Sequence, residues 1–174
     1  MGIEIRQARP GEEPEMQQIE RLSGQQFRTV GLDSIADDEP PSVEELASYA
    51  REGRCWVAHD GDDLVGYAIA YEVDGNAHLE QVSVVPEHQG RGVGRMLVDV
   101  VKSWARAQSH SAVTLTTFAD VPWNRSLYEH LGFRVLADEE LGPGLRAVRS
   151  EEAAHGLDPE LRVCMRLDLP TKVG

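Results

Sequence analysis

Three glycines, Gly90, Gly92 and Gly94, alternate with Arg91, Val93 and Arg95 where a strand-like run gives way to an amphipathic helix. The stretch reads Val82-Ser83-Val84-Val85-Pro86-Glu87-His88-Gln89-Gly90-Arg91-Gly92-Val93-Gly94-Arg95. The first N–H groups of a helix have no acceptor inside it, and the helix dipole puts partial positive charge at that end. Glycines there remove side chains and permit backbone angles closed to other residues. The product is a mouth of N–H donors suited to a pyrophosphate. From Pro86 to Arg106 there are four basic residues against two acidic ones, in a chain of net charge −13. A locally positive end in an acidic protein points to a specific anionic ligand rather than diffuse attraction. Two nucleotide motifs do not fit. A P-loop needs Gly-Lys-Ser/Thr, and Gly94 is followed by Arg95-Met96. A dinucleotide fingerprint needs GxGxxG behind the first strand of a parallel set, whereas here the glycines come late and the preceding strands are antiparallel.

The elements that position this turn follow from periodicity. Gly2–Ala8 alternates as a short strand that ends at Pro10-Gly11. Met16, Ile19 and Leu22 give a first helix over Glu12–Leu22. Asp33–Pro41, with four acids and two prolines, reads as a loop. Ser42 with Glu45 is a capping box opening a helix to about Gly53. Strands are expected over Cys55–His59, Leu64–Val73 and Ala77–Val85, joined by turns at Asp60-Gly61 and Asp74-Gly75. Turns that tight make the three strands antiparallel. The clearest helix is Gly92–Ala107, with Val93, Met96, Leu97, Val100, Val101 and Trp104 on one face. A strand over Ala112–Phe118 completes a βαβ unit and is expected to run parallel to Ala77–Val85. A short helix over Pro122–Leu131, a strand over Phe133–Ala137, loop and helix within Glu139–Gly156 and a last strand over Leu161–Leu169 follow.

Composition bounds the function. At roughly 100–200 residues per domain, 174 residues are expected to form a single domain, 1–174. Thirty acidic against seventeen basic residues disfavour binding to nucleic acid. No apolar run is long enough for a membrane span. Cys55 and Cys164 lie far apart without a CxxC partner, which fits a reducing cytoplasm and strand-core thiols rather than disulfides, zinc or an acyl-carrying nucleophile. His59, His88, His110, His130 and His155 lack metal-ligand spacing, so no metal is expected.

Gln89-Gly90-Arg91-Gly92-Val93-Gly94 resembles the Gln/Arg-x-x-Gly-x-Gly/Ala signature of the GNAT superfamily of acyl-CoA N-acetyltransferases. Val82–Pro86 resembles that family's fourth strand, and Asn124-Arg125-Ser126-Leu127-Tyr128-Glu129-His130-Leu131-Gly132-Phe133 its late Asn…Tyr-x-x-Gly-Phe segment, with three residues between Asn124 and Tyr128. The resemblance covers nearly the whole chain. It implies an α/β (α+β) fold: a mixed, mostly antiparallel sheet of six to seven strands, flanked by helices and splayed at the fourth strand. It further implies acetyl-CoA as co-substrate, its pantetheine on the main chain of Val82, Ser83 and Val84, and its pyrophosphate on Gln89, Gly90, Arg91, Gly92, Val93, Gly94 and Arg95, with Asn124 and Tyr128 completing the site.

The implied reaction must deprotonate an amine, polarise a thioester carbonyl and protonate a thiolate. Tyr128 is the candidate acid, because a phenol is neutral at pH 7 and close in basicity to the departing thiolate. Asn124, four residues earlier, is expected on the same helix face. His78, Glu80, Val82 and Val84 share one strand face, and the resemblance implies a base drawn from this strand, sometimes through water, with Glu80 the first candidate and His78 the second. The resemblance implies that the region between the first two helices shapes the acceptor pocket, and its Asp33, Asp37, Asp38 and Glu39 then point to a cationic amine: a polyamine, an aminoglycoside-like compound, or a peptide amine. Leu141–Gly156 either caps the acceptor pocket or forms a dimer contact, and both a monomer and a homodimer stay open. The competing function is a non-catalytic acyl-CoA-binding regulatory module.

Overall fold

The computed structural model describes residues 2–170. The elements are β1 (Ile3–Gln7), α1 (Glu13–Gly24), α2 (Asp33–Ala36), α3 (Val43–Arg51), β2 (Cys55–Asp60), β3 (Asp63–Val73), β4 (Asn76–Val84), α4 (Val93–Ala107), β5 (Ala112–Phe118), α5 (Arg125–His130), β6 (Arg134–Val135), α6 (Pro143–Ala154) and β7 (Arg162–Asp168). They build a seven-stranded mixed sheet in the order β1-β2-β3-β4-β5-β7-β6. The chain divides into two compact units: Met1–Tyr71 with Gln81–Val101, and Glu72–Glu80 with Lys102–Gly174. The division falls within β3, β4 and α4.

In the first unit β1, β2 and β3 are antiparallel, with Ile5 opposite Ala58 and Val57 opposite Tyr67. Met16 and Ile19 of α1 and Leu46 of α3 pack with Cys55, Val57, Tyr67 and Ile69 into one apolar cluster. The capping box is made in full: Glu45 N–H donates to Ser42 Oγ at 3.1 Å and Ser42 N–H to Glu45 Oε1 at 3.4 Å. The expected loop over 33–41 contains one helical turn, α2, held by Ala36 N–H to Leu32 O at 3.1 Å. The turn after β2 falls at Gly61-Asp62 rather than Asp60-Gly61, because Gly61 carries the positive φ of 61° and Asp60 still pairs with Asp63. Gly66 is needed for close packing: a Cβ there would stand 3.0 Å from the Ser83 carbonyl oxygen and 3.2 Å from Leu97 Cδ1.

In the second unit the Asp74-Gly75 turn is as expected, with φ of 54° and 75°. β4 and β5 are parallel; among the described residues their ladder joins Ala77 to Val113 and His78 to Thr114 and ends there, as a sheet splayed at its fourth strand requires. β5 pairs with β7 along its whole length, from Ala112 opposite Asp168 to Phe118 opposite Arg162. The expected strand over Phe133–Ala137 shortens to β6, although Leu136 N–H still reaches Cys164 O at 2.9 Å. The helix expected over Pro122–Leu131 shortens to α5, and Asn124 stands at its N-cap with φ −106° and ψ −93°. Asn124 and Tyr128 therefore do not share a helix face; the Asn124 carbonyl instead accepts the Tyr128 N–H at 3.2 Å.

Candidate functional site

The glycine turn lies wholly in the first unit. After β4, Val85 N–H is tied to Val65 O at 2.9 Å, and Pro86–His88 forms one 3-10 turn. His88 Nε2 lies 3.1 Å from Asp60 Oδ2, which anchors this turn to the end of β2. Gly90 and Gly92 have φ of 76° and 82°, a region that side-chain-bearing residues avoid. Met96 N–H bonds to Gly92 O at 3.0 Å, so the N–H groups of Val93, Gly94 and Arg95 precede the first intrahelical bond. A Cβ built at Gly90, Gly92 or Gly94 would meet nothing within 4 Å. The space ahead of α4 is thus open, amide-lined and flanked by the exposed Arg91 and Arg95.

Gln89 is a shaping residue of this turn. Its N–H donates to Pro86 O at 3.3 Å, its Nε2 to Val84 O at 3.0 Å, and its Oε1 accepts from Gln26 Nε2. The backbone N–H and one of the two side-chain amide hydrogens are thereby engaged. The Val84 carbonyl likewise already holds one hydrogen bond before any ligand approaches.

Ser83 turns to the other face of β4, toward α1. Its hydroxyl accepts from Gln81 Nε2 at 2.9 Å and donates to Glu20 Oε2. Tyr67, fully buried on β3, donates its hydroxyl to the same oxygen at 2.9 Å. Burial raises the Glu20 carboxyl above the usual range against the two hydroxyls, and raises Tyr67 well above 10. Glu20 and Tyr67 escaped sequence reasoning. The only signal was an acid beside Ile19 on the apolar face of α1, and 63 residues separate it from Ser83.

His78, Glu80, Asn124 and Tyr128 belong to the second unit. His78 is 1% exposed, and burial lowers its ring to about 4, so it is neutral at pH 7. Its Nδ1 lies 2.9 Å from Thr114 Oγ1, and its Nε2 is 3.8 Å from Glu80 Oε2. With the ring neutral, that second approach is a polar contact rather than an ion pair. The Glu80 side chain is 42% exposed. Tyr128 sets its ring edge-on to Phe133 at 5.7 Å. Desolvation pushes its phenol up to about 12, with Arg162 pulling the other way. Cys55 and Cys164 are both free and fully buried, and burial raises both thiols, Cys55 to about 12. Neither is a nucleophile at neutral pH.

A strand, a glycine turn and a helix N-terminus on an open mixed sheet define an acyl-CoA acyltransferase class of fold. The model of the acetyltransferase (GNAT) family matches residues 16–133, and the chain belongs to that family. It is similar to N-acetyltransferase 8F1 of Mus musculus, 36% identical over 100 residues, which are 53% of this chain and 45% of that one. The chain thus spans about half the length or less of the curated relatives it matches. Its fold resembles a GNAT-family acetyltransferase from Staphylococcus aureus Mu50, with a TM-score of 0.74 at 19% identity over 97% of this chain and all of that one. It also resembles N-acetylglutamate synthase from Neisseria gonorrhoeae complexed with coenzyme A and N-acetyl-glutamate, with a TM-score of 0.72 at 18% identity over 98% of this chain and 36% of that one.

Proposed function

We propose that this chain transfers the acetyl group of acetyl-CoA to a primary amine by direct attack in a ternary complex, as one catalytic domain acting in the cytoplasm. The observation that carries the reading is the open amide mouth ahead of Val93, whose three first-turn N–H groups precede the Met96–Gly92 bond. A pyrophosphate there meets N–H groups that no intrahelical carbonyl engages, and the positive helix end. Gln89, Gly90, Arg91, Gly92, Val93, Gly94 and Arg95 supply the contacts, and Gln89 also shapes the turn. The main chain of Val82 and Val84 receives the pantetheine, and the Ser83 side chain serves the opposite face.

The chemistry assigns one step to each remaining group. An ammonium R–NH3+ gives a proton to the base. Glu80 is the first choice, because its carboxylate is half exposed and open to water. His78 is the second, neutral at pH 7 and therefore able to accept. The free amine attacks the acetyl carbon, the N–C bond forms and the C–S bond breaks. The thiolate takes the proton of the Tyr128 phenol, which is neutral throughout the working range. The surplus proton on the new amide nitrogen restores Tyr128. Asn124 contributes through its carbonyl, which fixes the first turn of α5 under Tyr128.

The deciding variant is Gly94→Glu. Gly94 has ordinary helical geometry and open space around it, so the substitution adds a carboxylate to the mouth without backbone strain. Calorimetry is expected to show coenzyme A binding in the wild type and none in the variant, with equal thermal midpoints. Equal binding in both removes the reading. Binding without thiol release across a panel of amines assigns the chain to the non-catalytic acyl-CoA-binding class instead.

A further inference from the structure

Asp60 ends β2, and His88 ends the 3-10 turn that follows β4. In the sheet order β3 lies between those two strands. The side chains meet across it, His88 Nε2 standing 3.1 Å from Asp60 Oδ2. A carboxylate oxygen only accepts, so Nε2 carries a hydrogen. The other ring nitrogen, Nδ1, is buried and has no hydrogen-bond partner. We infer that Asp60 and His88 are a positioning pair that presets the glycine turn for coenzyme A, an inference that rests on the coenzyme reading above. Neither residue touches the ligand in this scheme.

The orphaned nitrogen is the first ground. Buried polar atoms are ordinarily bonded, and an exception calls for a reason. Rotating the imidazole outward would give Nδ1 to water. It would also break a hydrogen bond to a charged acceptor, a bond about twice as strong as one between neutral groups. Among the described residues the Asp60 carboxylate makes no other hydrogen bond or ion pair. The ring is thus held in by Asp60 against the cost of its own second nitrogen, and its place depends on that one acceptor.

The second ground is where the pair acts. Before the turn, Val85 N–H reaches the carbonyl of Val65. Val65 is the extra residue of a bulge in β3, where the β2–β3 register shifts between Ala58 and His59. After it, Gln89 is tied to Val84 and Gln26. His88 stands between these ties, with its own N–H on Val85 O at 3.0 Å. Two residues later Gly90 takes its φ of 76° and the amide mouth begins. Asp60 is on the face this requires. Ala58, two residues earlier on β2, lies opposite Gly66, and a Cβ at Gly66 would stand 3.4 Å from Val93 Cγ1, at the start of α4.

The test uses the full chain. Asp60→Ala and His88→Ala are each expected to weaken coenzyme A about tenfold in calorimetry, the size of one hydrogen bond to a charged group. KM for acetyl-CoA is expected to rise by the same factor and kcat to change little, a split that a merely structural pair would not give. The double variant is expected to be no weaker than either single one, because each removes the same bond. Asp60→Asn keeps an acceptor oxygen and His88→Gln a donor nitrogen, and both are expected to restore most of the affinity. Unchanged affinity in the folded alanine variants overturns the inference, and so do losses that add in the double variant. If the alanine variants do not fold, the long-range 1H–15N spectrum of the wild-type imidazole decides. A hydrogen on Nε2 is expected, and a hydrogen on Nδ1 alone overturns the pair. Failure of the wild type to bind coenzyme A would strike the coenzyme reading instead. The amide resonances of Gly90 and Gly92 would then still report on the turn. They are expected to shift in Asp60→Ala and to return in Asp60→Asn, and resonances that stay in place overturn the inference.

Discussion

The side-chain amide of Gln89 donates to the Val84 carbonyl at 3.0 Å, closing the chain back onto the strand it has just left. The same amide accepts from Gln26, on the 3-10 segment that follows α1. One side chain therefore ties the end of β4, the glycine turn and the segment after α1 together. A turn held at three points keeps Gly90 and Gly92 in their left-handed conformations before ligand arrives, which limits the ordering that binding must accomplish.

Gln89→Ala tests that tether. Each lost hydrogen bond is worth about 1 kcal/mol net. Coenzyme A binding is expected to weaken about tenfold by calorimetry. Gln89→Glu should do no better, since it keeps the oxygen but loses the donor to Val84. Unaltered affinity in Gln89→Ala would show that the turn holds its shape without the side chain.

Tyr128→Phe removes only the hydroxyl and keeps the edge-on contact with Phe133. General acids contribute at least about a hundredfold to rate, so kcat is expected to fall by about that factor with coenzyme A affinity unchanged. The phenol is held at about 12. The wild-type rate should accordingly show no decline assignable to Tyr128 between pH 8 and about 10. Retention of more than half the wild-type kcat in the variant would exclude the tyrosine as the acid.

The same turn chemistry that makes a hairpin also builds a distant helix cap. Asp74, in the β3–β4 turn, accepts the N–H of Gly144 at 2.7 Å and of Leu145 at 3.0 Å. Gly142, the N-cap of α6, has no side chain to do this, and Asp74 supplies the oxygen atoms instead. Asp74→Ala is expected to destabilise by about 1 kcal/mol and to lower the melting temperature by about 3 °C. Gly144→Ala should match it, because its Cβ would stand 2.7 Å from Asp74 Oδ1. Melting temperatures equal to wild type in both would deny the cap any energetic weight.

Local chemistry made much of this fold legible. Ser42 and Glu45 sit three residues apart, so the capping box is visible in any sequence that contains it. Asp74-Gly75 declares its turn in two letters. The period of α4 predicts its face, but the buried seam is Val93, Leu97, Val98, Val101 and Ala105, with Met96 and Trp104 displaced to its flank. Which side of an apolar stripe is deepest depends on the surface it meets, and that surface is not local. The limits of α5 and β6 were missed for a related reason. Asn124 leaves helical geometry as the N-cap of α5, with φ −106° and ψ −93°. β6 ends after Val135, but Leu136 still bonds to Cys164.

The candidate site divides in the same way. The glycine turn is contiguous and was readable in full. The Glu20, Tyr67 and Ser83 group joins α1, β3 and β4, and no spacing rule links positions 47 and 63 residues apart. The use of both ends of the Gln89 side chain was equally hidden, because one partner lies 63 residues upstream.

His78 carries the last prediction, which concerns stability rather than turnover. Its ring lies beside Thr114 and is held at about 4, against 6.5 in the unfolded chain. Desolvation is the main cause, partly offset by the negative charge of Asp74. Because the folded value is depressed, the unfolded chain binds the proton first as pH falls. The neutral ring's contribution is complete above about pH 6.5 and is lost between 6.5 and about 4. At about 1.4 kcal/mol per unit, the loss over that window amounts to about 3 kcal/mol. Urea unfolding at intervals from pH 7.5 to 4 should show this slope in the wild type. In His78→Gln, which can still meet Thr114 but does not titrate, the slope should be shallower by that amount. Curves that stay parallel down to pH 4 would mean that the imidazole gains a proton in the folded state as readily as in the unfolded one.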